Sequence, residues 1–270
     1  MILAGDVGGT NTRLALFESL APLHLEVFRS AEYAGLEEIT AQYLAHTGAS
    51  VSAACFGVAG PVRGGIVRTP NLSWVVDAVR LAGQLGLPDV GLINDLEANA
   101  HGIAALQPAD FVQLNEGVDA DAVGTRALIS AGTGLGQAGL LAHETGYRVF
   151  ASEGGHADFA PRGELEIELL RHLLGRWPHV SYERVLSGPG LHNIYQFLRD
   201  TGRCVQPGWL GERIAAGNAS AVISATALAD GTEICVRALD IFASIYGAEA
   251  GNLALKLMAT GGVFLAASAP

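Results

Sequence analysis

Two glycine–threonine turns of the same build occur in this 270-residue chain: Gly5-Asp6-Val7-Gly8-Gly9-Thr10-Asn11-Thr12-Arg13 and Gly132-Thr133-Gly134-Leu135-Gly136. Short apolar runs flank each, Met1 to Ala4 and Leu14 to Phe17 for the first, Ala127 to Ser130 and Ala138 to Ala142 for the second. The pattern reads as strand, tight turn, strand, with glycines that permit left-handed backbone. Glycine also removes the side-chain wall, so consecutive N–H groups can face an anion, and two such turns could hold a polyphosphate from both sides. Asp6 adds a carboxylate beside the first turn. An acid next to a phosphate is costly unless a cation lies between them, and Mg²⁺ is the natural one. Alone, Asp6 reads equally well as an Asx-type turn cap; with Thr10, Arg13 and the second turn, the phosphate reading leads.

Asn94-Asp95 follows the strand-like run Val90 to Ile93. A carboxylate at the carboxyl end of a strand is where open α/β sheets present chemistry, and Asp95 could take a proton from a hydroxyl that Asn94 helps orient. The plainer reading makes one of the two an N-cap for a helix beginning near Leu96. Ser152-Glu153-Gly154-Gly155-His156-Ala157-Asp158 is a polar turn whose Glu153 and His156 offer the donors and acceptors a polyol needs; solvated loop residues are the bland alternative. Glu183 precedes a Gly188-Pro189 turn, with Arg184 beside it as an ordinary ion-pair partner. Gly134, Gly136 and Gly139 satisfy G-x-G-x-x-G, yet the residues after them read as a hairpin around Gly146 rather than an opening helix, so a dinucleotide fingerprint fails. Neither turn contains the Walker-type lysine motif.

The elements that must position these residues alternate in the α/β manner. Strands are expected at Ile2 to Ala4, Arg13 to Glu18, Leu25 to Arg29, Ala53 to Val58, Gly65 to Thr69 and Val90 to Ile93. Helices are expected at Gly35 to Thr47, Asp77 to Leu85, Glu164 to Leu174, near Leu191 to Asp200, and as one long Ala-rich segment from Ala225 to Ala248. Residues 201–220 carry the weakest pattern. A junction near residues 100–110 divides a small α/β domain, 1–105, from a larger one, 106–270. The two similar hairpins form a faint internal repeat, which points to two related α/β halves.

Half the residues are hydrophobic and 16% are charged, ample for a packed interior and wrong for disorder. A formal charge of -11 argues against nucleic acid, whose backbone needs clustered Lys and Arg. Cys55, Cys204 and Cys235 are widely spaced and odd in number, which fits reduced thiols in the cytoplasm. Neither a signal peptide nor a membrane span is expected.

In order along the chain, Gly5 to Arg13, Leu92 to Asp95, Ala131 to Gly136, Glu153 to Pro161 and Glu183 to Gly190 resemble the motifs of the bacterial glucokinases. Further matches lie at Pro70-Asn71-Leu72-Ser73-Trp74 and Gly251-Asn252-Leu253-Ala254-Leu255. The resemblance implies the two-domain, actin-like (ribonuclease H-like) sugar-kinase fold, with an interdomain cleft that closes on glucose and ATP. It implies Asp95 as general base on the 6-hydroxyl, and Asn94, Glu153, His156 and Glu183 as holders of the other hydroxyls. It implies nucleotide contacts at Asp6, Gly8, Gly9, Thr10, Asn11, Gly132, Thr133, Gly134 and Gly261, with Asp6 near Mg²⁺ through water. A homodimer is the family's habit. Family members continue beyond the Gly261-Gly262 turn into a second glycine pair that is absent here, so a large domain incomplete at its C-terminus is expected, and a weakly catalytic sugar-binding remnant is the rival reading. The zinc cluster of the related repressor and sugar-kinase branch is absent.

Overall fold

The computed structural model describes residues 1–19, 21–69, 72–117, 123–144 and 146–267. Pro70 and Asn71 of the Pro70–Trp74 matching stretch, and Ser268 to Pro270, lie outside them. The chain divides into two compact units, Met1–Phe111 and Val112–Pro270.

The first unit is built on a five-stranded sheet. β1 (Ile2–Val7), β2 (Asn11–Glu18) and β3 (Ala21–Arg29) form an antiparallel meander; β4 (Ala53–Val58) then pairs parallel with β1. α1 (Leu36–Thr47) connects β3 to β4. A short β5–β6 ribbon (Ile66–Arg68, Val75–Asp77) leads to α2 (Ala78–Leu85), and β7 (Gly91–Asn94) lies parallel beside β4. The strand order is β3-β2-β1-β4-β7. Local signals set the ends: Asp77 accepts from the Val79 and Arg80 amides to start α2, and Gly48 and Gly86, in left-handed conformation, stop α1 and α2. Leu3, Val7, Leu14, Tyr43, Phe56 and Val58 are fully buried between sheet and helices. α3 (Asp95–Gly102) leaves directly from β7.

The second unit opens the same way. β8 (Arg126–Ala131), β9 (Leu135–His143) and β10 (Gly146–Ser152) form an antiparallel meander, and β11 (Val263–Ala267) pairs parallel with β8, in the order β10-β9-β8-β11. Between β10 and β11 run α4 (Glu164–Leu174), α5 (Gly188–Asp200), α6 (Gly208–Ala216), α7 (Ala219–Asp230) and α8 (Glu233–Leu257). Leu169, Leu173, Ile194, Phe197, Ile234 and Ile245 belong to its core.

Three expectations change. The Ala-rich run is two helices, because Gly231 at φ 64° ends α7 in a left-handed cap and Thr232 starts α8. Residues 201–220 contain α6, held by fully buried Leu210 and bracketed by Pro207 and Gly217. Finally, none of the turn glycines 8, 9, 132, 134 or 136 has positive φ. Close approach is what the backbone requires of Gly134, as the site geometry makes clear. Among the described residues no single helix is long and apolar enough to cross a membrane.

Candidate active site

In the first unit, parallel pairing aligns the carboxyl ends of β1, β4 and β7. Val7 pairs with Val58, and Val58 with Asn94, so the Gly8-Gly9-Thr10 turn and Asn94-Asp95 emerge at the same end of one sheet. Gly57, between them on β4, lets α3 settle on the sheet: a Cβ there would press on Ala98 Cβ at 2.9 Å. Asn94 is the N-cap of α3, its Oδ1 accepting from the Leu96 amide (2.9 Å) and the Glu97 amide (3.4 Å) in a capping box with Glu97. Its Nδ2 donates to Gly60 O at 3.1 Å. Capping therefore falls to Asn94 of the two neighbours. The Asp95 carboxylate takes one hydrogen bond from the Leu96 amide at 2.9 Å. Burial pushes its pKa up from the ordinary Asp value; the Leu96 amide opposes the rise, the negative charge of Asp6 adds to it, and its own amide and the Asn94 side chain oppose it further.

Asp6 is not an Asx cap. It faces Arg13 across the β1–β2 pair, with Arg13 Nη1 donating to its Oδ2 at 2.9 Å, and both side chains are more than half exposed. The turn is braced from β3's end: Ser30 Oγ donates to Gly8 O at 2.8 Å, and Ser30 N donates to Thr10 O at 3.0 Å. Gly8 N donates to Asn11 O. Among the described residues, the amides of Gly9 and Thr10 donate in none of the turn hydrogen bonds, which leaves a small anion-sized nest.

In the second unit, the Gly132-Thr133-Gly134 turn closes with Gly132 N donating to Gly134 O at 2.8 Å. Gly188 N, in the first turn of α5, donates to Gly132 O at 2.8 Å, and Ser187 caps that helix by accepting from Gly190 N. The positive end of a 13-residue helix thus abuts the turn, an arrangement that favours an anion. From sequence, Ser187-Gly188-Pro189-Gly190 reads only as a turn after Glu183; the serine cap followed by proline in the first helical turn was the available signal.

Glu183, Glu153 and His156 come together around the same strand start. Glu183 Oε2 accepts from the Leu135 amide at 3.0 Å and lies where a Cβ on residue 134 would be, so Gly134 is glycine to admit a carboxylate. His156 Nδ1 is 4.0 Å from Glu183 Oε1, and its Nε2 is 3.8 Å from Glu153 Oε2. Two backbone bonds stitch the turns bearing them: Phe159 N donates to Val180 O (2.9 Å) and Tyr182 N to Ala157 O (3.0 Å).

Behind this polar cluster lies a group that no sequence motif announces. Glu249 of α8 is fully buried. Its carboxylate accepts from Gln137 Nε2 at 2.8 Å and Asn252 Nδ2 at 3.1 Å, and Lys256 Nζ stands 3.7 Å away. Asn252 Nδ2 also lies 3.1 Å from the Tyr182 hydroxyl, next to Glu183. On the other side, Gln137 Oε1 occupies the space a Cβ on Gly154 would need, and Leu135 O does the same for Gly155. The network therefore reaches both turns, through Gln137 to Glu153-Gly154-Gly155-His156 and through Asn252 to Tyr182-Glu183. Asn252, within the matching stretch Gly251–Leu255, was the trace of it in the sequence; Glu249 itself lies outside every stretch singled out there.

Gly261 is not brought to the Gly132-Thr133-Gly134 turn of its own unit. It lies before β11, donates from its N–H to Thr125 O at 3.0 Å and packs against Gly124 O, at the end of β8 opposite Gly132.

The glucokinase family model matches residues 3–268. The chain belongs to the glucokinase family. It is 39% identical to a glucokinase of Nostoc punctiforme over 98% of this chain and 83% of that protein. A solved glucokinase from an Antarctic psychrotroph superposes with a TM-score of 0.82 at 31% identity, covering 99% of this chain and 82% of the other. A ROK family glucokinase from Streptomyces griseus, solved with glucose and AMPPNP, gives a TM-score of 0.64 at 22% identity over 98% of this chain and 82% of that one, a likeness of fold. This glucokinase-family chain is accordingly a hexose kinase with the α/β actin-like sugar-kinase fold.

Proposed function

We propose that the chain transfers the γ-phosphoryl group of ATP to the 6-hydroxyl of glucose, giving glucose 6-phosphate and ADP, with Asp95 as general base. The observation that carries this reading is the state of Asp95: a half-buried carboxylate at the carboxyl end of a parallel strand, its pKa raised by burial despite the amide bond from Leu96. A base of raised pKa accepts a hydroxyl proton with more driving force than an ordinary aspartate. The proton moves to the Asp95 carboxylate as the sugar oxygen bonds to phosphorus and ADP leaves.

Glu153, His156 and Glu183 fit the task of holding the remaining hydroxyls, since two carboxylates and an imidazole supply both acceptors and a donor. Asn94 is a weaker fit for direct sugar contact, because its oxygen caps α3, although its Nδ2 has a second hydrogen to give. The unspent amides of Gly9 and Thr10, and the α5 N-terminus beside Gly132 to Gly134, suit phosphate oxygens. For Mg²⁺, the Asp6 carboxylate is a hard oxygen donor of the right type, half exposed and able to act through water while Arg13 holds its other oxygen. When bound, the ion would neutralise phosphate charge. The names of the relatives, and the glucose and AMPPNP bound by the Streptomyces protein, support these ligand classes.

The test is a coupled assay for glucose 6-phosphate with Mg-ATP and glucose. Turnover above background is expected. Folded protein that binds glucose without turnover would overturn the kinase reading and favour the sugar-binding remnant.

A further inference from the structure

We propose that His24, Glu26 and His46 form a binding site for a borderline divalent cation such as Zn²⁺ on the outer edge of the first unit's sheet. His24 and Glu26 stand two apart on β3, so they share a face. His46 comes from the last turn of α1. Glu26 Oε2 lies 3.2 Å from His46 Nδ1 and 3.7 Å from His24 Nε2, and one ligand atom from each of the three residues falls within 4.8 Å of the others. Donors at the usual Zn–N and Zn–O lengths of a tetrahedral ion sit about 3.3 Å from each other. The two measured separations lie close to that, so the donors need only small rotations to share one ion.

The surroundings support a formed site rather than three passing side chains. Fully buried Tyr43, one turn before His46, donates its hydroxyl to His24 O at 2.9 Å and so ties helix to strand. The His24 ring stands 5.6 Å from the Tyr43 ring and meets the His46 ring edge-on at 6.0 Å. Glu26 is the least exposed of the three, 29% against 45% and 67% for the imidazoles. The ion would therefore sit on the surface, with three protein ligands and room for solvent at the fourth. Two imidazoles and one carboxylate select Zn²⁺ or its neighbours over Mg²⁺, which takes oxygen ligands and keeps its water. The site is separate from the catalytic set, which lies at the ends of β1 and β7. Its consequence would be a clamp between the edge strand β3 and the C-terminal turn of α1.

The experiment is a Zn²⁺ titration of chelator-treated full chain by calorimetry, with thermal unfolding followed in parallel. One Zn²⁺ per chain and a Tm that climbs with Zn²⁺ are expected, since a ligand specific to the native state stabilises it. His24→Gln and His46→Gln should each weaken binding by about 100-fold or more, given that even outer-shell changes cost roughly 10–100-fold. Each should leave glucose turnover unchanged. His156→Asn, which dismantles the histidine–carboxylate group formed with Glu153 and Glu183, should leave the titration as it was. Co²⁺ in place of Zn²⁺ should show visible ligand-field bands that His46→Gln removes. Absence of binding, binding indifferent to the His24 and His46 variants, or binding lost in His156→Asn would each overturn the proposal.

Discussion

The two units begin with the same device and spend it differently. Each has an antiparallel meander whose first hairpin carries a Gly-Thr turn, and each adds a parallel strand beside the first. At the end of the first sheet, Asp95 is half-buried, sits near the like charge of Asp6, and has a pKa that burial raises despite the hydrogen bonds around it. At the second, the acids are held: Glu183 by the Leu135 amide, Glu249 by Gln137 and Asn252. A carboxylate with a raised pKa suits proton transfer, whereas carboxylates pinned by hydrogen bonds to distant parts of the chain suit fixed recognition of hydroxyls. The same backbone frame supports both because the difference lies in what flanks the turn.

Removing the proton-accepting acid should therefore have the largest effect. Asp95→Asn keeps the shape and the Leu96 amide bond but cannot take a proton. A kcat lower by about 10²–10⁴-fold with little change in KM for glucose is expected from steady-state assays. Its stability should move the other way. A folded-state pKa raised above the unfolded value means that the ionised side chain costs stability at neutral pH. The variant should thus melt at a higher temperature than the parent at pH 7, and the advantage should fade as pH falls through the raised pKa. A variant that loses activity by unfolding would erase the contrast between the units.

Breaking the held acids should cost structure first. Glu249→Ala strands the amides of Gln137 and Asn252 in a buried place, a loss of about 2 kcal/mol by the usual cost of unsatisfied buried groups. Denaturant unfolding measures that loss. Because the network reaches both turns proposed to hold the sugar, KM for glucose should rise more than kcat falls. An unaltered KM would reduce Glu249 to a core residue.

Legibility followed the same division. Strand–turn–strand units, the break before Asn94, the cap of α3 and the failure of the G-x-G-x-x-G decoy could all be read locally, because period-two alternation and turn chemistry are properties of neighbours in sequence. The α7–α8 break was equally local: Gly231 before Thr232 was a helix stop, outweighed by the Ala-rich run around it. Glu249 was not legible, since its partner Gln137 is 112 residues away and its burial depends on tertiary packing. The reason for Gly134 also hides in the distant Glu183, 48 residues beyond the adjoining Leu135 amide.

The two turns can be set against each other directly. Gly134→Ala would place a Cβ in the space of the Glu183 carboxylate, whose flexible end must swing away and give up the Leu135 amide. At Gly8, an added Cβ meets only Asn11 O, at 3.1 Å. Gly134→Ala should raise KM for glucose as well as for ATP, at about 1 kcal/mol of stability for the lost hydrogen bond. Gly8→Ala should raise KM for ATP alone. Equal effects on both substrates from both variants would mean that the turns are not specialised.

The smallest effect is the most diagnostic of the first unit's electrostatics. As the proposed general base Asp95 must be ionised, so kcat/KM for glucose should fall on the acid side as pH drops through its raised pKa. Burial is the larger cause of that rise and Asp6 the lesser. Asp6→Asn leaves the burial in place and removes the like charge, so the Asp95 pKa should come down only part of the way and the acid limb should move to lower pH. The loss of a ligand for Mg²⁺ would lower the whole profile without moving its inflection, which separates the two consequences of one substitution. A limb that stays where it was would assign the acid inflection to some group other than Asp95, and the contrast between a proton-accepting acid in one unit and structurally pinned acids in the other would lose its chemical meaning.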